Sequence, residues 1–225
     1  MNSNDIVLGV TNNLVSNGIT NKDMLFDYNS FLKHKKMVAN SAWEVPSTTI
    51  TPIMERLLFS IGQGIQGNVV CLGSYYGYAM LWLVLGNNNN AEYYGLDIDS
   101  LACKYAENNF KRLFKQTDNI HIECRNAVNY VEEFEDKSIN ILFIDVDSNG
   151  SKALYSLLID KWYKKLKNGA LILAHDPCID KFAEDFNKYY KFTGDRRHFS
   201  KEIILPIDEC GIHIARVEGD EYESN

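Results

Sequence analysis

The stretch Asn68-Val-Val-Cys-Leu-Gly-Ser-Tyr-Tyr-Gly-Tyr-Ala-Met-Leu-Trp-Leu-Val-Leu-Gly86 decides the fold. Val69, Val70, Cys71 and Leu72 form a short run that is apolar on both faces and ends at Gly73; an apolar helical run opens near Gly77. That is the pattern of a buried parallel strand turning tightly into a helix. In an open α/β sheet, nucleotide-like ligands sit at the carboxyl ends of the strands beside the switch point, and the first strand-to-helix turn gives them close backbone contacts.

The glycine spacing narrows the ligand. A dinucleotide fingerprint needs glycine at its first, third and sixth positions so that backbone can approach a pyrophosphate. Here the third is Tyr75 and the sixth is Tyr78. Gly-x-x-x-Gly with tyrosines between suits a ligand that has no phosphate at this point and a cationic or aromatic part to lie against rings. S-adenosylmethionine, an adenosine joined through a sulfonium to an amino acid, meets that description.

Cys71-Leu-Gly-Ser-Tyr-Tyr-Gly-Tyr-Ala79 resembles the first motif of class I S-adenosylmethionine-dependent methyltransferases, in particular their catechol O-methyltransferase-like branch. The resemblance continues in order through Gly95-Leu-Asp-Ile-Asp99, Glu123-Cys-Arg-Asn-Ala127, Ile141-Leu-Phe-Ile-Asp145 and Leu166-Lys-Asn-Gly-Ala-Leu-Ile-Leu-Ala-His-Asp176, covering roughly residues 65 to 180. Five ordered motifs are far more specific than one glycine loop. The resemblance implies a Rossmann-like α/β fold: a seven-stranded, mostly parallel sheet with an antiparallel edge hairpin and helices on both faces. It implies a transferase with S-adenosyl-L-methionine as cofactor and a role in small-molecule biosynthesis.

Composition sets outer bounds. With 225 residues and 45% hydrophobic content, the chain is long enough for one sizeable core. The expected division is an N-terminal helical cap with a helix leading into the core (1–64), a cofactor-binding core (65–217) and an acidic, disordered tail (218–225). No apolar run approaches a membrane span, and the start Met-Asn-Ser-Asn-Asp lacks a signal-peptide pattern, so a soluble cytoplasmic protein is expected. A formal charge of −7 argues against a nucleic-acid surface. The expected partner is a small-molecule substrate, with no nucleic acid and no membrane; a homodimer stays open. Five scattered cysteines without metal-like pairing read as reduced packing residues.

Ahead of the core, Ile6, Val7, Val10 and Leu14, then Met24, Leu25, Tyr28, Phe31 and Leu32, lay one apolar stripe on each of two short helices joined around Asn17-Gly18. Tyr28, Phe31 and His34 either line a substrate mouth or, as the favoured reading has it, pack a helix on the sheet with His34 at the surface. Thr51 is placed to cap a helix with Pro52 at its first position, ended by Gly62 or Gly64. Trp43 and Glu44 are lid candidates, a packed Trp beside an exposed Glu being the equal alternative.

Asp97 ends the second strand about twenty residues past the glycine turn, where a carboxylate accepts ribose hydroxyls. Asp99 reads as the N-cap of the following helix. Asn126 and Ala127 follow a third strand, Ile120 to Cys124, and in related enzymes this loop contacts adenine; a helix cap is the alternative role for Asn126. The cofactor set is therefore Gly73, Ser74, Tyr75, Gly77, Tyr78, Asp97, Ile98, Asn126, Ala127 and Asp145. The fourth strand delivers Asp145 and the fifth delivers His175-Asp176, and two carboxylates with an imidazole can hold a divalent metal such as Mg²⁺. Metal-dependent members of the family carry Asp, Asp and Asn at the positions of Asp145, His175 and Asp176; here the middle ligand would be His. The alternative is that Asp145 and Asp176 merely cap loops.

Two positions depart from the family. Its catalytic lysine would fall at Ser148, which cannot lower a hydroxyl's pKa by charge, so catechol is not the expected acceptor. If a proton must be removed, His175 or Asp147 is the candidate base, His175 having the better-placed pKa. Cys71 stands where the family has a carboxylate that helps fix the cofactor's ammonium. That loss leaves a second reading open: a lyase on the same fold that cyclises the aminobutyryl arm to azetidine-2-carboxylate and releases methylthioadenosine, with the tyrosines stabilising the sulfonium and Asn149 orienting the amine. A binding module without turnover and, more remotely, a nicotinamide dehydrogenase complete the alternatives.

Overall fold

The computed structural model describes residues 2–218. The expected tail therefore lies outside the described residues, apart from Glu218. Strands β1 (Asn68–Leu72), β2 (Tyr93–Asp97), β3 (Ile120–Cys124), β4 (Ile139–Ile144), β5 (Leu166–His175), β6 (Phe199–Leu205) and β7 (Ile212–Val217) form one sheet in the order β3-β2-β1-β4-β5-β7-β6. The first five are parallel, and β7 runs antiparallel between β5 and β6. The chain starts at β1, steps outward to β3, then returns to β4 on the other side of β1. The switch point lies between β1 and β4, where the carboxyl ends part and leave a crevice.

The helices are α1 (Ser3–Ser16), α2 (Tyr28–Asn40), α3 (Pro52–Gln63), α4 (Tyr78–Gly86), α5 (Ser100–Leu113), α6 (Ala127–Tyr130), α7 (Leu154–Trp162) and α8 (Ala183–Thr193). Their starts follow from capping chemistry. Asp27, Thr51, Asp99 and Asn126 accept backbone N–H bonds in the first turns of α2, α3, α5 and α6, and Pro52 opens α3 without needing a donor. Two apolar layers flank the sheet. One contains Val7, Leu14, Phe31, Leu57, Phe59, Trp82 and Phe110; the other contains Val131, Tyr155, Trp162, Phe186 and Tyr189. Val7, Leu14, Phe31, Leu57 and Phe59, from the segment ahead of β1, thus pack in the same layer as Trp82 and Phe110. No helix among the described residues is long and apolar enough to cross a membrane.

In the N-terminal segment the structure departs from expectation at one histidine. Phe31 is buried against Phe59 and Trp82, as a packing helix requires. His34, expected at the surface, is also buried, its ring 5.4 Å from Phe59, with Nδ1 2.9 Å from the Ser30 carbonyl oxygen. One turn of helix places His34 on the same face as Phe31, and the backbone carbonyl supplies its polar partner. A buried carboxylate ties the segment to the glycine turn: Glu55 of α3, 3% exposed, accepts from Lys35 Nζ at 2.6 and 2.9 Å and from the Tyr78 hydroxyl at 2.6 Å.

Candidate active site

A cavity of about 700 Å³ opens at the carboxyl ends of β1, β2, β4 and β5. That volume is ordinary for a small-molecule site. Its floor is the turn after β1. Gly73 (φ +79°) and Gly77 (φ +80°) both take left-handed backbone, and a Cβ on Gly73 would stand 2.1 Å from the Asp145 carbonyl oxygen. Only glycine lets the β1 and β4 ends approach this closely. Ser74, buried in the same turn, lines the cavity with an Oγ that has no protein partner.

At the β2 end, Asp97 accepts the Tyr75 N–H at 2.8 Å and the Asp99 N–H at 3.0 Å, one on each carboxylate oxygen. These bonds fix the carboxylate at the cavity wall and leave further lone pairs on both oxygens. Asp99 caps α5 through Leu101 and Ala102. Asn126 Oδ1 is spent on capping α6 at Val128 N–H, 2.9 Å away, and the residue also lines the cavity with Ile98 and Ala127. Every residue of the expected cofactor set except Gly77 lines this one cavity. Gly77 acts from behind as the left-handed residue opening α4, and Tyr78 lines the wall with its hydroxyl already bonded to Glu55.

The opposite end holds a ring of alternating charge. Lys152 Nζ lies 2.8 Å from Asp145 Oδ1 and 2.8 Å from Asp176 Oδ2; His175 Nδ1 lies 3.3 Å from Asp145 Oδ2 and 3.1 Å from Asp176 Oδ1. Asp145, His175 and Asp176 line the cavity, whereas Lys152, only 3% exposed, stands behind them. Burial alone would push the Asp145 carboxyl up, but His175 and Lys152 outweigh it and hold it well below the usual carboxylate range. Burial would likewise lower both cations, and the carboxylates outweigh it, raising His175 and Lys152 above their ordinary values. Neither ring nitrogen makes a hydrogen bond, but the two carboxylates within 3.3 Å of Nδ1 favour the tautomer with its proton there, which leaves the lone pair of the neutral ring on Nε2. The Tyr155 hydroxyl donates behind the ring toward the last carbonyls of both strands, Ile144 at 3.0 Å and His175 at 3.3 Å.

Several expected residues stand elsewhere. Asn149 sits exposed at a loop tip with φ +55° and does not line the cavity, because the loop after β4 carries it past the strand end. Asp147 lines the cavity, but its Oδ1 accepts the Gly150 N–H at 2.6 Å to close that loop. Trp43 is a packed residue, edge-on to Phe110 at 5.0 Å, and Glu44 pairs with Arg112 at 2.5 Å. The rim on this side is made instead by Pro46, Thr48, Thr49 and Ile50. Cys71 lies fully buried inside β1, where desolvation pushes its thiol well up. It therefore packs the sheet and makes no cavity contact.

The residues present do not fit the divalent ion that the family resemblance implied at Asp145, His175 and Asp176. One oxygen of each carboxylate is taken by the Lys152 ammonium and the other lies against His175 Nδ1, so an ion there would sit beside a fixed cation. Among the described residues, His175, Asp176 and Cys210 bring one ligand atom each within 4.8 Å of one another. Their mixed nitrogen, oxygen and sulfur donors do not suit Mg²⁺. Burial, with Asp176 beside it, moves the Cys210 thiol up to about 12.

S-adenosylmethionine fits. A glycine floor without a pyrophosphate cradle, an unpartnered buried Ser74 hydroxyl and a carboxylate at the end of β2 are what its parts require. Sheet order and site together define a class I S-adenosylmethionine-binding architecture.

Comparison with known proteins agrees. Residues 70–177 match a family model described as a methyltransferase domain. The fold is similar to cofactor-bound Rv0187 from MTB (17% identity, TM-score 0.67, covering 97% of this chain and 99% of that one). It is also similar to the O-methyltransferase TomG from Streptomyces achromogenes, solved with SAM (12%, 0.66, 97% and 100%), and to an O-methyltransferase from Bacillus cereus in complex with SAH (15%, 0.62, 95% and 99%). At these identities the structural likeness is one of fold. No curated protein matches the sequence. Residues 70–177 thus match a methyltransferase domain, and they lie on a sheet with the strand order of the class I S-adenosylmethionine-dependent methyltransferase fold.

Proposed function

We propose that this enzyme methylates a hydroxyl oxygen of a small-molecule acceptor. The observation that carries the reading is the placement of two chemically distinct ends in one cavity: the Asp97 end, suited to ribose, and the His175 end, suited to proton removal. The bound cofactor supplies an electrophilic methyl group. The chain's own residues then have separable tasks. Asp97 holds the ribose, and the Gly73 turn allows close backbone approach with the Ser74 hydroxyl free to donate. Tyr75 and Tyr76, ring centroids 4.5 Å apart on the cavity wall, offer π faces to a cation. Nε2 of neutral His175 takes the acceptor's proton, and Asp145 and Asp176 stabilise the imidazolium that results. Positioning supplies much of the remaining rate, since the displacement is in line and needs little further chemistry from the protein. The net charge of −7 and a cavity of about 700 Å³ support a small acceptor over a nucleic acid.

The test has two parts. Calorimetric titration with S-adenosylmethionine should show Asp97→Ala binding at least about tenfold more weakly than wild type, the loss of a charge-assisted hydrogen bond; unchanged affinity sinks the site assignment. Incubation with the cofactor, alone and with hydroxylated acceptors, is then read by mass spectrometry. S-adenosylhomocysteine formed only with an acceptor supports the proposal. Enzyme-dependent methylthioadenosine without any acceptor overturns it in favour of arm cleavage.

A further inference from the structure

We propose that Lys152 is a built-in cation that takes the place of a divalent metal ion between Asp145 and Asp176, so that this methyltransferase holds its acceptor-side carboxylates without metal. The inference rests on the methyltransferase reading above and adds to it a positioning residue and a class of acceptor.

Lys152 is held in place from every side the structure describes. Its backbone N–H donates to Asp185 Oδ2 at 2.9 Å, and the neighbouring Ser151 hydroxyl donates to the same oxygen at 2.8 Å, so α8 anchors the loop that carries it. Its carbonyl accepts the Tyr155 N–H at 2.9 Å as α7 begins. The ammonium lies 5.5 Å from the ring centroids of both Tyr155 and Phe182 and spends two of its donors on the two carboxylates. A lysine that merely neutralised surface charge would keep its head in water; this one is 3% exposed.

The two carboxylates come from the ends of different strands, β4 and β5, and a positive group between them offsets the repulsion of two like charges brought together there. Lys152 and a metal ion are alternative forms of that group. An ion entering while Lys152 is present would meet its ammonium at the shared oxygens, and the desolvation of both would go uncompensated.

The acceptor class follows. A metal ion in such a position can chelate two adjacent oxygens of a substrate, whereas an ammonium lying behind the carboxylates cannot. The expected acceptor therefore presents one reacting hydroxyl and needs no vicinal partner.

The experiment is a Mn²⁺ titration of chelator-treated full-length protein, followed by electron paramagnetic resonance of the free ion. Wild type should show no saturable binding up to about 1 mM, and Lys152→Met should bind Mn²⁺ at least about tenfold more tightly. Lys152→Arg, which keeps the charge, should match wild type. One Mn²⁺ bound by wild type and lost in Asp145→Asn overturns the proposal, as does a folded Lys152→Met that binds no more Mn²⁺ than wild type. If Lys152→Met does not fold, the wild-type titration decides alone: no saturable binding supports the proposal, and a bound ion overturns it. S-adenosylmethionine affinity measured on the same samples separates the two ideas: failure to bind it counts against the methyltransferase reading, whereas the Mn²⁺ result speaks to Lys152.

Discussion

Replacing Gly73 by alanine isolates the contact on which the cavity floor depends, and Gly150 supplies its control. Both residues have nearly the same backbone, φ +79° and +78°. Left-handed backbone costs an alanine about 1–2 kcal/mol at either position. Their surroundings differ. A Cβ on Gly150 meets nothing within 4 Å, whereas one on Gly73 stands 2.1 Å from the Asp145 carbonyl oxygen, 2.7 Å from its carbonyl carbon and 3.0 Å from Val146 N. These are backbone atoms, so no rotamer relieves the clash and the ends of β1 and β4 must part by about 1 Å in a region packed like a crystal. Overpacking of this kind adds about 1–3 kcal/mol. The expected losses are therefore about 1–2 kcal/mol for Gly150→Ala and about 2–5 kcal/mol for Gly73→Ala. At about 2–4 °C per kcal/mol for a chain of this size, thermal melts resolve the two. S-adenosylmethionine titration adds a second axis: Gly73→Ala displaces Asp145 and weakens binding, whereas Gly150→Ala leaves it unchanged. Equal melting temperatures and equal affinities in the two variants would refute the close approach of β1 and β4 as the reason for glycine at position 73.

Two further outcomes are expected. Lys35→Met leaves the buried Glu55 carboxylate with the Tyr78 hydroxyl as its remaining side-chain donor and should cost about 1.5–3 kcal/mol in urea denaturation, with much of it regained in the Lys35→Met/Glu55→Gln double variant; a loss below about 0.5 kcal/mol would show the pair to be idle. The second concerns pH. His175 is raised above its ordinary value by the carboxylates, against burial, so its contribution to stability is full below about pH 6.5 and is lost as pH rises through its higher folded value. Wild-type stability should therefore decline on the alkaline side of about pH 6.5 relative to His175→Gln, while methyl transfer, which needs neutral imidazole, rises over the same window. Parallel stability curves for the two proteins would remove His175 from the account.

Much of the fold is legible in the sequence because it is local. Strands β1 and β4 are buried parallel strands whose apolar runs stop abruptly, and their ends read directly from Val69–Leu72 and Ile139–Ile144, whereas the edge strand β3 shows itself by the alternation of Ile120-His-Ile-Glu-Cys124. Thr51-Pro52 and Asp99 announce helix starts through hydrogen bonds made within three residues. Lys152 cannot be read this way. In sequence it is one lysine in Ser-Asn-Gly-Ser-Lys-Ala, a polar loop where a solvated side chain is the ordinary outcome. Its burial follows from two aspartates 31 residues apart converging at neighbouring strand ends, which no local pattern encodes. Strand spacing alone does predict that Asp145 and Asp176 approach each other, and two carboxylates so close favour a nearby cation. The motifs imply a metal for that role; the fold supplies a side chain. The histidines divide similarly: His175 follows a clear strand, whereas the burial of His34 depends on Phe59, 25 residues away.

The Tyr155 hydroxyl, bonded to the final carbonyls of β4 and β5, makes those two strand ends a single fixed jaw. Asp145 and His175 cannot separate without breaking a fully buried polar link, so the proposed base and its carboxylates are set before any ligand arrives. The opposite jaw, Pro46 to Ile50, has no such link: Ser47, Thr48 and Thr49 are exposed and the chain runs between α2 and α3 without a strand to hold it. The enzyme's selectivity for acceptor shape and its catalytic geometry are thereby assigned to different segments of chain, and the first can be altered by substitution while the second stays in place.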